Sequence, residues 1–204
     1  MDRTPARHAA VTDFATWRSL VHDAFFAAEL HRPADHASPF SARLRHKRCG
    51  ALGLARVEAA PHNFRRTAAD VARQQTDAYD VVLVLDGHGT ARQDDRGGTL
   101  TRGDLVISDT TRPYQIDFTS PFHLAQLVLP RALLGTEPER VARVTGVPVA
   151  TGRGTASLLA TLLTQATEHD DEAADMRGSR TYAAEDHIAD AVAALCRGLT
   201  AELL

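Results

Sequence analysis

Residues Tyr79–Phe118 read YDVVLVLDGHGTARQDDRGGTLTRGDLVISDTTRPYQIDF, and their punctuation decides the fold class. Apolar runs rich in Val, Leu and Ile are cut by Asp86-Gly87-His88-Gly89, Asp95-Arg96-Gly97-Gly98, Arg102-Gly103-Asp104 and Thr111-Arg112-Pro113. Gly, Asp and Pro are the residues that turn a chain, so the runs between them read as strands at Ala78–Leu85, Thr90–Asp94, Gly98–Thr101, Leu105–Ser108 and Tyr114–Phe118.

The same grammar extends outward. Phe40–His46, Ala51–Glu58 and Phe64–Thr67 precede the stretch, and His123–Leu129 follows it. Many short strands separated by turns predict a mainly β chain, a sandwich or barrel and not a βαβ sheet.

Helical spacing appears only at the two ends. After Thr12 and Asp13, both good N-caps, apolar residues fall at Phe14, Trp17, Val21, Phe25 and Ala28, which predicts one N-terminal helix ending before Pro33. The following HRPADHASPF reads as an irregular connection. Beyond Pro130, Arg131–Leu134 and Pro138–Val144 read as short helical turns. Thr155 is expected to cap a helix with Leu158, Leu159, Leu162, Leu163 and Ala166 on one face. The acidic stretch His169–Asp175 leads to a last helix carrying Ile188, Val192, Leu195, Leu199 and Leu203, and the two helices are expected to pair antiparallel.

Composition narrows the function. The 204 residues are 44% hydrophobic and 24% charged, which suits a folded domain and excludes a disordered chain. With 23 basic against 26 acidic residues the net charge is −3, the wrong sign for a chain that grips DNA phosphates by itself. Cys49 and Cys196 stand far apart and form no CxxC pair, so a disulfide scaffold and a zinc ribbon are excluded. The N-terminus has no signal-peptide core and no run is long enough to span a bilayer; a cytoplasmic protein without membrane contact is expected.

The residues that invite chemistry have plainer readings. Ten histidines (His8, His22, His31, His36, His46, His62, His88, His123, His169 and His187) are scattered, with no HxH or HExxH spacing, so no metal is expected. Gly87-His88-Gly89 starts like a phosphate loop but sits between strands, as a hairpin turn would. No GxSxG elbow or catalytic Cys-His signature is present, and neither a catalytic residue nor a cofactor is assigned. In Arg43-Leu44-Arg45-His46-Lys47-Arg48 the charges alternate. That suits an edge strand guarded by charge; contact with an anionic ligand or with nucleic acid are the alternatives.

Within the quoted stretch, Leu100, Gly103, Asp104, Leu105 and Asp109 form L-x-x-G-D-L-x-x-x-D, followed by Pro113-Tyr114. In this the chain resembles the ligand-binding domain of AraC-type transcription regulators. Trp17, Phe40–Val57, Arg65-Arg66-Thr67, Leu129-Pro130-Arg131, Thr145-Gly146 and Gly152-Arg153-Gly154 before Leu158–Leu163 fit the same pattern, so the resemblance covers Phe14 to Leu204. It implies a cupin-like β-barrel followed by a helical pair, with a division into residues 1–35 (N-terminal helix and arm), 36–135 (effector-binding barrel) and 136–204 (helical dimerisation appendage). Cupin enzymes carry an HxH pair with a later His and Glu; Gly-His-Gly stands here instead, which favours a sensing pocket.

The resemblance further implies a small-molecule effector, a homodimer, and DNA contact only through a separate helix-turn-helix domain of about a hundred residues that this chain does not contain. Polar residues on apolar strands are the expected effector contacts: Tyr79, Ser108, Tyr114 and Gln126, with Arg66 as partner for a carboxylate. The stripe Ile188, Val192, Leu195 and Leu199 is the expected dimer seam, although it can equally pack on its own barrel. Two rivals stay open: a metal-dependent cupin enzyme, and a dimerisation module whose barrel is filled by side chains. A cavity too small for one aromatic ring would favour the second.

Overall fold

A computed structural model describes residues 7–33, 38–168 and 180–204, with side chains from residue 9 and, in the last segment, from residue 187. In chain order the elements are β1 (Arg7–Val11), α1 (Phe14–Ala24), β2 (Glu29–His31), β3 (Ala42–Cys49), β4 (Leu52–Ala59), β5 (Asn63–Arg66), α2 (Ala68–Arg73), β6 (Ala78–Asp86), β7 (Gly89–Gln93), β8 (Arg96–Leu100), β9 (Asp104–Asp109), β10 (Tyr114–Phe118), β11 (Phe122–Pro130), α3 (Arg131–Leu134), α4 (Pro138–Val141), β12 (Val149–Ala150), α5 (Gly154–Glu168) and α6 (Arg180–Leu203). All strand pairings are antiparallel. They build a seven-stranded sheet in the order β1-β3-β4-β11-β6-β9-β12 and a five-stranded sheet in the order β2-β5-β10-β7-β8. The chain is thus mainly β, a cupin-like sandwich with an N-terminal helix and C-terminal helices.

Strand periodicity sorts the side chains of the large sheet into two cores. Tyr79, Val81 and Leu83 of β6, with Ala125, Leu127 and Leu129 of β11, face Leu159 and Leu163 of α5 and Val192, Cys196 and Leu199 of α6. Val82 and Val84 of β6 and Leu124 of β11 point the other way, into the sandwich, where Ile116 and Phe118 of β10 and Trp17 and Val21 of α1 meet them. Central strands buried on both faces explain why Ala78–Leu85 reads as an unbroken apolar run and not as an alternation.

Local signals set the element ends. The Asp13 carboxylate accepts from the Thr16 amide at 2.7 Å and starts α1. Thr67 and Asp70 form a reciprocal capping box on α2, a helix the periodicity did not predict because its six residues are too few to show a period.

Several expectations need correcting. α1 ends at Ala24, so Phe25 and Ala28 lie beyond it. The supposedly irregular HRPADHASPF begins inside β2. The basic run lies on β3, which is flanked by β4 and β1, so the charges guard no edge; β1 has that position. α5 already includes Gly154, and the Thr155 hydroxyl donates to Glu202 on α6 and is not a cap. Leu158 does not share the buried face of Leu159 and Leu163; it is 61% exposed. Of the acidic stretch, His169–Asp175, nothing is described. No helix among the described residues is long and apolar enough to cross a membrane.

Gly87 has φ +107°, and a Cβ there would lie 2.8 Å from both Phe122 Cβ and the Pro121 carbonyl oxygen. Gly135, at φ +59°, has open space around it. Gly135→Ala is therefore expected to cost about 1 kcal/mol for the left-handed backbone alone. Gly87→Ala should cost about 2 kcal/mol more, because strain and overpacking add. Urea denaturation of the two variants measures the difference; equal losses would show that the Phe122 strand yields freely.

Candidate functional site

Between the sheets lies a cavity of about 60 Å³. Its walls are mostly apolar and aromatic, with Trp17 and Phe25 on the α1 side and Phe64, Phe118 and Phe122 from the strands. Phe118 and Phe122 stack with ring centroids 4.0 Å apart. Two polar ends interrupt this wall.

The first is His62, which accepts from the Trp17 indole N–H at 3.1 Å through Nε2 and donates from Nδ1 to the Ala60 carbonyl at 2.8 Å. Burial drives its pKa down to about 4, so the ring is neutral at pH 7. Both ring nitrogens are engaged, and His62 serves to seat Trp17.

The second is Asp80. Its carboxylate accepts from the Tyr114 hydroxyl at 2.8 Å and from the Gln126 amide at 2.8 Å. The residue is 1% exposed, and burial pushes its pKa up to about 6 against the lowering by these two bonds and by the Arg66 charge. Among the described residues no ion pair reaches it. Asp109, the other buried acid of this sheet, is the useful contrast. Burial would raise its carboxyl too, but bonds from Thr111 and the charges of Arg131 and Arg112 hold it below its ordinary value. One buried aspartate has two cations in ion-pair contact; the other has only the longer-range charge of Arg66.

The five expected effector contacts scatter. Gln126 lines the cavity, and Tyr114 joins it through Asp80. Ser108 pairs across the ladder with Asp80 and is buried, but it is not among the cavity-lining residues. Tyr79 turns to the helical side, its hydroxyl without a hydrogen-bond partner and the Arg131 guanidinium 5.1 Å from its ring centre. Arg66 is wholly buried, and three of its nitrogens donate to the Thr110, Ala27 and Gln74 carbonyls, which leaves no fork for a ligand carboxylate. It is a clamp on the backbone. The expected dimer stripe divides likewise: Val192 and Leu199 are buried in their own chain, while Ile188 and Leu195 are half-buried.

Sequence reasoning missed Asp80, Trp17 and His62 as site residues. For Asp80 a signal existed, since it is a charge set inside the apolar run YDVVLVL. For the other two there was none, because they are 45 residues apart and only the fold joins them. Elsewhere, an open groove of about 940 Å³ runs past Arg43, Glu58 and His123 outside the sandwich. Glu58 lies within ion-pair distance of both Arg43 and His123, so the sandwich interior, with its aromatic walls and the buried Asp80, is the better candidate. Among the described residues no three His, Cys, Asp or Glu side chains gather as metal ligands.

The two buried titrating groups carry opposite pH signs. Asp80, raised from 3.8 to about 6, contributes stability below pH 3.8 that is lost as pH rises through 6. His62, lowered from 6.5 to about 4, contributes stability above pH 6.5 that is lost as pH falls through 4. Each amounts to about 3 kcal/mol, so between pH 4 and 6 they nearly cancel. Relative to wild type, Asp80→Asn is expected to gain about 2–3 kcal/mol at pH 8 and to lose that gain toward pH 4. His62→Gln should show the reverse slope, as acidification no longer opposes Asp80. Urea titrations from pH 4 to 8 read both; an Asp80→Asn curve parallel to wild type would refute the assignment.

Comparison with known proteins agrees with this architecture. The family model of the AraC-binding-like domain matches residues 17–197. An uncharacterized protein in the nit 5′ region of Bacillus sp. (strain OxB-1) is 27% identical over 121 residues, 59% of this chain and 46% of that protein, so the match spans under half of the relative. The crystal structure of the AraC-like transcriptional activator CuxR superposes with a TM-score of 0.78 at 17% identity, over 96% of this chain and 70% of that one. A cupin superfamily protein from Desulfitobacterium hafniense gives 0.37 at 13% identity over 48% of this chain and 84% of its own, too low to argue from. With its family model running from Trp17 in the wall of the cavity to Arg197 on the last helix, the chain belongs to the AraC-binding-like domain family.

Proposed function

We propose that this chain is the effector-sensing and dimerising half of an AraC-type transcription regulator, and not an enzyme. A small organic molecule would occupy the sandwich interior and bias an attached helix-turn-helix reader. The observation that carries this reading is Asp80. An aspartate held inside the protein with no ion pair among the described residues, and only the longer-range Arg66 charge acting on it, destabilises the fold by about 3 kcal/mol at neutral pH, a cost with no packing purpose. A core that only needed filling would be apolar there.

The mechanism uses two states of α1. Trp17 and Val21 fill part of the interior, and Phe25 and Ala27 follow directly behind them. A ligand larger than about two waters displaces some of these aromatic side chains and resets the end of α1. From there bonded groups run to the helices: Ala27 to Arg66, Arg66 to Thr110, the adjacent Asp109 to Arg131 on α3, and the α3 carbonyl of Leu133 to Arg197 on α6. Ligand binding at one end would thus alter the helical face at the other, by as much as its affinity differs between the two states.

One observation favours a second reading. The cavity of about 60 Å³ is below the ~150 Å³ that holds a benzene ring, as a pure dimerisation module would have it. Trp17 decides between them, because it is the chain's single tryptophan and lies on the cavity wall. In a broad screen of small organic molecules, a true effector is expected to change Trp17 fluorescence and raise the melting temperature together. A screen in which no compound moves either signal would leave the module reading.

Dimerisation is tested separately. Leu158 points outward from α5, which packs on α6, where Leu195 is half-buried. Leu158→Asp is expected to leave the melting temperature within a few degrees of wild type while weakening self-association at least tenfold. Sedimentation velocity at tens of micromolar reads this; a wild type that sediments as a monomer removes the dimer from the proposal.

A further inference from the structure

The sensing reading leaves the effector's chemistry open, and the polar end of the cavity narrows it. We propose that the interior recognises a small organic cation, a protonated amine on an apolar or aromatic body, with Asp80 as its counter-charge. This rests on the effector-sensing reading and deepens it.

Both oxygens of Asp80 accept hydrogen bonds, one from Tyr114 and one from Gln126, an arrangement suited to the ionised carboxylate and not to an acid that must donate. Both donors are neutral. The Arg66 charge acts on this carboxyl without forming an ion pair, because all three guanidinium nitrogens donate to backbone carbonyls. Two accepted bonds leave a carboxylate with capacity for about two more. Among the described residues no Lys or Arg lines the cavity beside it, and His62 at the other end is neutral. Buried carboxylates are ordinarily paired, as Asp109 is with Arg112 and Arg131 in this same sheet.

Once aromatic side chains move aside, as a cavity of about 60 Å³ requires, the walls suit the same ligand. Phe25, Phe64, Phe118 and Phe122 line the cavity, and aromatic faces attract an ammonium group through their quadrupoles while receiving an apolar body. An anion would meet the opposite of what it needs, a carboxylate with no ion pair among mostly apolar groups. A neutral alcohol would gain one hydrogen bond but would not neutralise the charge.

Three probes of nearly one shape separate these cases: benzylamine, benzyl alcohol and benzoate, each titrated into the whole chain at pH 7.5 by calorimetry and Trp17 fluorescence. Benzylamine is expected to bind at least tenfold more tightly than benzyl alcohol, with no binding of benzoate. Asp80→Asn should weaken benzylamine at least thirtyfold and leave benzyl alcohol within about threefold. Gln126→Leu, which removes a neighbour but no charge, should weaken benzylamine less than fivefold. Comparable binding of the alcohol or of benzoate, or an Asp80→Asn variant that keeps its amine affinity, overturns the proposal. So does a Gln126→Leu loss as large as that of Asp80→Asn, since the effect would then be general disruption. If the neutral or anionic probe binds with a Trp17 response that Asp80→Asn does not alter, the sensor reading stands and the cation fails. If neither these probes nor the broad screen gives any response, both fall.

Discussion

Everything in this molecule depends on β6 and β11 being covered on both faces. A strand with two buried faces cannot discard its polar residues to solvent, so each residue of Ala78–Leu85 is committed to one of two cores. The odd positions Tyr79, Val81 and Leu83 hold the helices, and the even positions Val82 and Val84 line the sandwich. A slip of one residue would exchange the two sets and send Asp80 among leucines, so the double burial also fixes the register.

Within that frame, the polar residues of the interior separate by whether the chain itself supplies a partner. Arg66 gathers the carbonyls of Ala27, Gln74 and Thr110, three segments with no regular pairing of their own at those atoms, and thereby ties α1's end and α2's end to the turn after β9. Gln93 does the same for Asp109, exchanging bonds with both its N–H and its carbonyl at 2.8 Å. These groups are satisfied, and they hold the shape. Asp80 differs because both of its hydrogen-bond donors are neutral, and in the proposed function it therefore takes part in recognition.

That division accounts for the helices as well. Cys196 is buried between α6 and the sheet, and burial pushes its thiol up to about 12, so it packs as a small apolar group. The apolar surface left outside on these helices includes Leu158 and Leu203, with Leu195 and Ile188 half-covered, whereas periodicity alone selects Ile188, Val192, Leu195, Leu199 and Leu203.

The sequence by itself determined the class of fold, because turn chemistry is local. Gly87, Gly103 and Pro113 fall where the chain reverses, and the runs between them carry their strands without help from distant residues. It also marked Tyr114 and Gln126 as polar residues on apolar strands. Only the tertiary structure decided what those residues do. Asp80, Tyr114 and Gln126 come from three strands up to 46 residues apart, and no spacing rule links them. Tyr79 and Asp80 are neighbours in sequence, yet the pleat sends one to the helices and the other to the cavity. Arg66 reads as a ligand's partner until the fold supplies three carbonyls to occupy it. The fold class rests on backbone preferences that each residue carries with it. The candidate site rests on which side chains the closed fold brings together, and that is known only after the chain has closed.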